Sequence, residues 1–293
     1  FEKTETDRSK IGALVFVTQS PDYRRPATAC VLQKRLGLSI GCAAMDIGLG
    51  CSGFVYGLQT AASLMASSDM EYALVLIGET ASKLVNPLDK SIVMMYGDAG
   101  AAILLKREEG ASMKTLLKSD GNRFKAIVLP AGGFRDMNPS DETFMCSDGI
   151  ERSLYDIFMD GTSVFSFSIT DVPETVKEYL SLTESAIEEY DCLAFHQANR
   201  FILKQITRKL KAPKEKVLIS LDRFGNTGGM SIPLTLCDHF GDTEDGKKNI
   251  LMSGFGIGLS WGVTSAAVDT EKIFPVIRTK DFYAEGKFEP GAY

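Results

Sequence analysis

Histidine, tryptophan and paired cysteines are what this sequence has least of. Its 293 residues include two histidines and one tryptophan. The six cysteines (Cys30, Cys42, Cys51, Cys146, Cys192 and Cys237) are scattered, with no Cys-x-x-Cys pair. Neither a disulfide framework nor a zinc site is expected from that set, so no metal enters the reading. Long apolar runs are also missing. Nothing approaches the roughly 20 residues that span a bilayer, and the charged opening Phe1-Glu2-Lys3-Thr4-Glu5 is no signal peptide. A cytoplasmic protein with no membrane partner is expected. There is no basic excess either: 32 Lys and Arg stand against 38 Asp and Glu, for a net charge of −6, which argues against nucleic acid as the main partner. What remains is an ordinary globular composition, 44% apolar and 24% charged, in a chain long enough for one large core or two packed halves.

The most informative stretch is Asp46-Ile47-Gly48-Leu49-Gly50-Cys51-Ser52-Gly53-Phe54-Val55-Tyr56-Gly57. An apolar run over 43–49 meets a small-residue turn. A helical pattern follows, with Val55, Leu58, Ala61, Ala62 and Met65 on one face. Glycines on both sides let the backbone bend and a substrate approach, while the helix N-terminus favours a thiolate. Cys51 therefore reads as a nucleophile, with a small buried core cysteine as the plainer alternative.

Elsewhere, strands are expected at 11–17, 72–78 and 192–195, and helices at 26–36, 162–182, 199–210 and 232–239. Strands and helices alternate, so the sheet should be parallel or mixed, with helices on its faces. The pattern lapses between 122 and 160 into Gly, Pro, Asn, Asp and Ser, as in a long excursion that covers a site or is partly mobile. The strand at 192–195 ends on His196. Arg200, Lys204 and Arg208 then share one face of the next helix, either as solvated surface or as the entrance for an anionic substrate or partner. The stretch Phe224-Gly225-Asn226-Thr227 puts an amide on a turn. The glycines of 253–262 lie between two apolar strands, with no helix N-terminus after them to hold a phosphate. Residues 270–293 read as a polar tail.

A thiol, an imidazole and an amide thus stand on three turns, each at a strand end. Two chemistries fit: a hydrolase of the Cys/His/Asn kind, or acyl transfer through a thioester. Five motifs occur in one order: Gly50-Cys51-Ser52-Gly53-Phe54, Tyr96-Gly97-Asp98-Ala99-Gly100, His196-Gln197-Ala198-Asn199, Gly225-Asn226-Thr227 with Ser231-Ile232-Pro233, and Gly256-Ile257-Gly258-Leu259-Ser260-Trp261-Gly262. Together they resemble the β-ketoacyl-ACP synthase III family, over about residues 11–268. The resemblance implies an α/β, thiolase-like fold of two pseudo-repeated halves in five α-β-α-β-α layers, and a homodimer. The first half would be 1–112 with the nucleophile, the second 113–269 with His196 and Asn226, and the tail 270–293. It implies that Cys51 takes the acyl group from an acyl-CoA, with an oxyanion held by its own N–H and that of Ile257. His196 and Asn226 would bind the thioester carbonyl of malonyl-ACP, and Phe255 would desolvate its carboxylate. Lys90, Gly161, Gln197, Ala198, Asn199 and Arg200 match positions lining the pantetheine tunnel or receiving the acyl carrier protein, with Lys204 and Arg208 extending that basic face. No bound cofactor is implied.

The departures are as informative. The segment that opens the family's first half has no counterpart in this sequence. Lys90 stands where many members have an adenine-stacking arginine. The 122–160 excursion and the tail are longer than in housekeeping members. Arg25, just before Pro26, occupies a place where relatives often close the partner's acyl pocket with a large apolar side chain. It either faces solvent or an acid, or reads a polar end on the starter acyl group. An acyltransferase using the same acyl-Cys51 without forming a carbon–carbon bond is the alternative activity.

Overall fold

The computed structural model describes residues 1–90, 92–243 and 245–283. Strand β1 (Ile11–Val17) is apolar on both faces and buries five of its seven residues, so it needs cover on both sides. Helix α1 (Thr28–Arg35), β2 (Ala43–Ile47), α2 (Gly53–Ala66), β3 (Tyr72–Glu79) and β4 (Ala99–Lys106) follow. These strands form a sheet in the order β2-β1-β3-β4, parallel except for the antiparallel β3/β4 pair. Strand β5 (Thr115–Ser119) opens a second sheet. After the excursion and α3 (Gly161–Thr183) come β10 (Cys192–Phe195), α4 (Arg200–Leu210), the short α5 (Leu221–Phe224), α6 (Ser231–Phe240), β11 (Lys247–Gly256) and β12 (Ser260–Asp269). Their order is β10-β11-β12-β5, with β10/β11 parallel and the other pairs antiparallel.

Three core clusters lie between successive layers. One packs α1 residues such as Ala29 on the outer face of the first sheet. The second joins both sheets through α2 and α6, with Val55, Leu58, Ile232 and Leu236 at its centre. The third packs α3 and α4 on the far face of the second sheet. Alternate strand residues divide accordingly: Ala194 points to the middle cluster, Leu193 and Phe195 to the outer one. The result is the five-layer stack, with α2 and α6 sandwiched between sheets.

Boundaries differ from the sequence reading where side chains intervene. The run expected over 43–49 leaves the sheet at Ile47, because the Leu49 N–H turns back to the Ile47 carbonyl at 2.9 Å. The helix expected from residue 26 starts at Thr28, where the Asp46 carboxylate accepts both the Thr28 and Ala29 N–H groups at 2.7 Å. A strand acid thus caps a neighbouring helix.

The 122–160 excursion is not structureless. It carries two small antiparallel pairs, β6 (Ile127–Val128) with β9 (Phe158–Met159) and β7 (Phe144–Met145) with β8 (Glu151–Arg152). Arg152 fastens it to the body: the guanidinium bonds Asp89 through Nε at 2.9 Å and Nη2 at 2.6 Å, and Asp148 through Nη1 at 2.9 Å. The tail folds back as far as it is described: Thr270 is buried and Ile273 packs on the middle cluster. The rest of the expected tail, 284–293, lies outside the described residues. Among those described, no helix is long and apolar enough to cross a membrane, and no group of three or more His, Cys, Asp or Glu could hold a metal ion.

Removing one partner of a buried ion pair strands charge in low dielectric. Arg152→Ala is therefore expected to destabilise the protein by about 3 kcal/mol and to open the 144–152 hairpin. Urea unfolding and limited proteolysis check this: the midpoint falls and cleavage appears in that hairpin.

Candidate active site

After β2 the chain reverses through 48–52, closed by the Gly53 N–H to the Gly50 carbonyl at 2.8 Å, and enters α2. Cys51 is half-buried at this turn. The end of β11 passes directly against it. A Cβ on Gly256 would lie 2.7 Å from the Cys51 Cβ and 3.0 Å from Sγ, so any side chain there would displace the thiol. The turn after β11 is locked to α2 by hydroxyls: the Ser260 Oγ–H donates to the Ile257 carbonyl at 2.8 Å, leaving the Ser52 Oγ–H to donate to Ser260 at 2.7 Å. That lock fixes the 257/258 peptide, the one that follows the Ile257 N–H. Both this N–H and that of Cys51 face the sulfur.

The helix terminus was expected to favour a thiolate. The structure corrects this: burial pushes the Cys51 thiol up to about 12, the Glu79 charge adds to the rise, and the two N–H groups offset only part of it. The free protein therefore holds a neutral thiol. Glu79 went unnoticed in the sequence. It is buried, accepts the Gln19 N–H at 2.7 Å and the Ser20 hydroxyl at 3.2 Å, and its own carboxyl is raised by burial.

His196 is buried at the end of β10, its N–H donating to the Ser253 carbonyl at 2.9 Å so that the strand pairing continues one residue further. Its ring stands edge-on to Phe255, with centroids 5.3 Å apart and planes at 85°. Burial pushes the imidazole down to about 4, so it is neutral at physiological pH. Its Nδ1 lies 2.8 Å from the Ser231 hydroxyl oxygen.

Asn226 is held from both sides. Its N–H donates to Met95 at 2.7 Å and its carbonyl accepts the Gly97 N–H at 3.0 Å, so the Tyr96 motif carries the amide turn. The Asn226 Oδ1 accepts the Gly228 N–H at 2.9 Å, which leaves Nδ2 as the outward donor. Gly228 has φ of +63°, a conformation that suits glycine. The three turns meet: a Cβ on Gly229 would be 2.8 Å from the Gly50 carbonyl, and the Gly228 backbone raises the His196 imidazole against the larger effect of burial. Chemically, this is a thiol with two N–H groups facing it, on a turn that meets the turn bearing the Asn226 amide, together with a buried neutral imidazole.

The residues expected to bind substrate or carrier divide sharply. Gln197 does not line a tunnel. It is fully buried, its Nε2 donating to the Phe195 and Leu218 carbonyls at 2.8 and 3.3 Å and its Oε1 accepting the Ser220 N–H at 3.1 Å. Its amide is used up in holding the end of β10. Asn199 is the α4 cap, accepting the Ile202 N–H at 2.8 Å, with half-buried Ala198 before it. Arg200, Lys204 and Arg208 are exposed on one face of α4, Arg200 standing 3.9 Å from Asp222. Lys90 is exposed beside buried Asp89, and Gly161 is exposed at the start of α3. Arg25 is exposed, its guanidinium 5.8 Å from the Phe134 ring centroid. Among the described residues no hydrogen bond, ion pair or ring contact joins it to Cys51.

Five layers, with a cysteine turn heading the central helix and a His/Asn pair opposite, define the class: enzymes of thiolase-like fold. Residues 45–121 match the family described as 3-oxoacyl-[acyl-carrier-protein (ACP)] synthase III, and residues 180–268 its C-terminal part. A β-ketoacyl-[acyl-carrier-protein] synthase III of Clostridium perfringens is 36% identical over 255 residues, covering 86% of this chain and 76% of that protein. One of Caldanaerobacter subterraneus is 36% identical over 251 residues, covering 85% and 73%. The crystal structure of a 3-oxoacyl-(acyl-carrier protein) synthase from Burkholderia xenovorans superposes with a TM-score of 0.87 at 34% identity, covering 95% of this chain and 79% of that one. The chain belongs to the β-ketoacyl-ACP synthase III family.

A thiol at about 12 makes the alkylation rate track the rising thiolate fraction. Labelling of Cys51 by iodoacetamide, followed by peptide mass spectrometry, should rise about tenfold per pH unit from pH 7 to 9. Glu79→Gln, which removes the repelling charge, should label faster at any fixed pH. A rate already level over that range would mean the thiolate is formed without substrate.

Proposed function

We propose that the protein condenses an acyl-CoA starter with malonyl-ACP to give 3-oxoacyl-ACP, through an acyl intermediate on Cys51. The observation that carries this is the pair of neutral donors, His196 buried and Asn226 with its amide orientation held by Gly228. In the first half-reaction Sγ attacks the acyl-CoA carbonyl, the thiol proton passes to the departing CoA sulfur, and the developing oxyanion takes the N–H groups of Cys51 and Ile257. In the second, the malonyl thioester carbonyl accepts from His196 and Asn226. As the carboxylate leaves as CO2, charge collects on that oxygen, where preorganised donors are worth about 3 kcal/mol each. The Phe255 ring gives the carboxylate an apolar neighbour. The enolate carbon then attacks the Cys51 thioester, releasing the sulfur, which regains a proton. Simple acyl transfer to an alcohol, amine or carrier has no enolate to stabilise, so the donor pair favours condensation over that second reading.

The acyl carrier protein is the partner that the family implies, and the α4 cations are the surface that suits it. A homodimer and a cytoplasmic location belong to the same reading. The exposed apolar side chains Leu88, Phe134, Phe144 and Met145 support pairing. No metal or bound cofactor takes part in these steps.

Cys51→Ala is expected to abolish the acyl adduct seen by intact mass after incubation with short acyl-CoAs. His196→Ala and Asn226→Ala should still acylate while losing condensation by on the order of 10²-fold or more. Loss of acylation with normal decarboxylation would reverse these roles.

Replacing Arg200, Lys204 and Arg208 by Ala should raise KM for malonyl-ACP at low ionic strength, with the difference shrinking as salt is added. Acyl-CoA loading should change much less. Equal KM values at low salt would mark the face as ordinary solvated surface.

A further inference from the structure

Behind His196 lies a closed set of buried polar groups. Ser231, Thr235, Ser220 and Gln197 are each at most 2% exposed. Their hydrogens can be assigned one by one. The Thr235 hydroxyl donates to the Ser231 carbonyl at 2.7 Å, so at its 2.6 Å contact with Ser220 it must accept. The Gln197 N–H donates to the Ser231 Oγ at 3.2 Å. The other partner of that oxygen is His196 Nδ1 at 2.8 Å. If Nδ1 carried the ring proton, the Ser231 hydroxyl hydrogen would have no acceptor among the described residues, at a buried site where an unmade hydrogen bond is costly.

We infer that Ser231 is the positioning residue of the site: its hydroxyl donates to His196 Nδ1 and thereby places the ring proton on Nε2. Gly228 is consistent with this arrangement: its N–H is committed to the Asn226 Oδ1, and its backbone raises the His196 imidazole, as a carbonyl near the ring does. The donor proposed for the malonyl thioester is then available without any change of tautomer. Thr235 and Ser220 keep Ser231 and Gln197 in register, so His196 and Gln197, which flank the 196/197 peptide, are both held by the Ser231 hydroxyl oxygen. The inference rests on the His196 role proposed above for its catalytic consequence, but not for its geometry.

The test uses the 293-residue chain labelled with 15N-histidine. Its two histidines give two pairs of ring nitrogens, and His239, whose Nε2 lies 3.1 Å from the Ile219 carbonyl, is an internal reference for the Nε2–H form. His196 in the wild type should show the same nitrogen pattern as His239, with Nδ1 as the unprotonated nitrogen. Ser231→Ala should change that pattern and lower condensation on the order of tenfold or more, since the wrong tautomer presents a lone pair where a donor is needed. Its acylation rate should stay within about twofold of wild type, and Ser231→Thr, which keeps the hydroxyl, should restore the pattern. A wild-type spectrum showing Nδ1–H overturns the inference, and needs no variant to fold. Equal losses of acylation and condensation in Ser231→Ala would also overturn it, by making the role merely structural. If His196→Ala condensed normally, the proposed function would fall while the spectrum still decided the tautomer.

Discussion

The site depends on backbone passing against backbone at the head of α2. Gly256 at the end of β11 touches the Cys51 side chain, and Gly229 meets the Gly50 carbonyl, so three separate turns converge with no side chain between them. Each belongs to a different strand or helix end, and α2 lies between the two sheets that carry them. A methyl group at the Gly256 contact would force either the sheet or the thiol to move. Because interiors pack at near-crystalline density, that displacement could not be absorbed locally.

The same enclosure sets the protonation of the site. Burial penalises whichever form is charged, so it drives the Cys51 thiol up and the His196 imidazole down, and both rest neutral. No thiolate–imidazolium pair of the protease kind is formed in the free protein. The thiol and the imidazole belong to two half-reactions, and their common desolvation suits chemistry in which charge appears only transiently on substrate oxygen. The donors are then directed by neutral hydrogen bonds, Gly228 to the amide and Ser231 to the ring.

Polar residues buried away from substrate carry much of the architecture. Asp46 interrupts an apolar strand in order to cap α1, Gln197 closes β10, and Arg152 clamps the excursion onto the loop of Asp89. Each replaces water with a specified partner, and so fixes one arrangement where apolar packing alone would tolerate several. Gln197 shows how a motif neighbour misleads: it sits beside the histidine in sequence, yet it is turned away from the site and spent on backbone.

The strands Ile11–Val17 and Cys192–Phe195, the long helix of 161–183 and the three turns bearing Cys51, His196 and Asn226 were legible in the amino-acid sequence, because each rests on periodicity or turn chemistry acting over a few neighbours. Five motifs in one order also pointed to the family. The roles of Asp46, Glu79 and Ser231 were not legible, since their partners lie 17, 60 and 35 residues away and a lone acid or serine has no local signature. The protonation of Cys51 was misread for the same reason: the helix terminus is a local feature, whereas the desolvation that outweighs it exists only once both sheets close over the turn. The chain's short-range pattern determined which elements form and where chemistry could sit. Which nitrogen, amide and thiol state the site presents was decided by contacts that only the folded layers bring together.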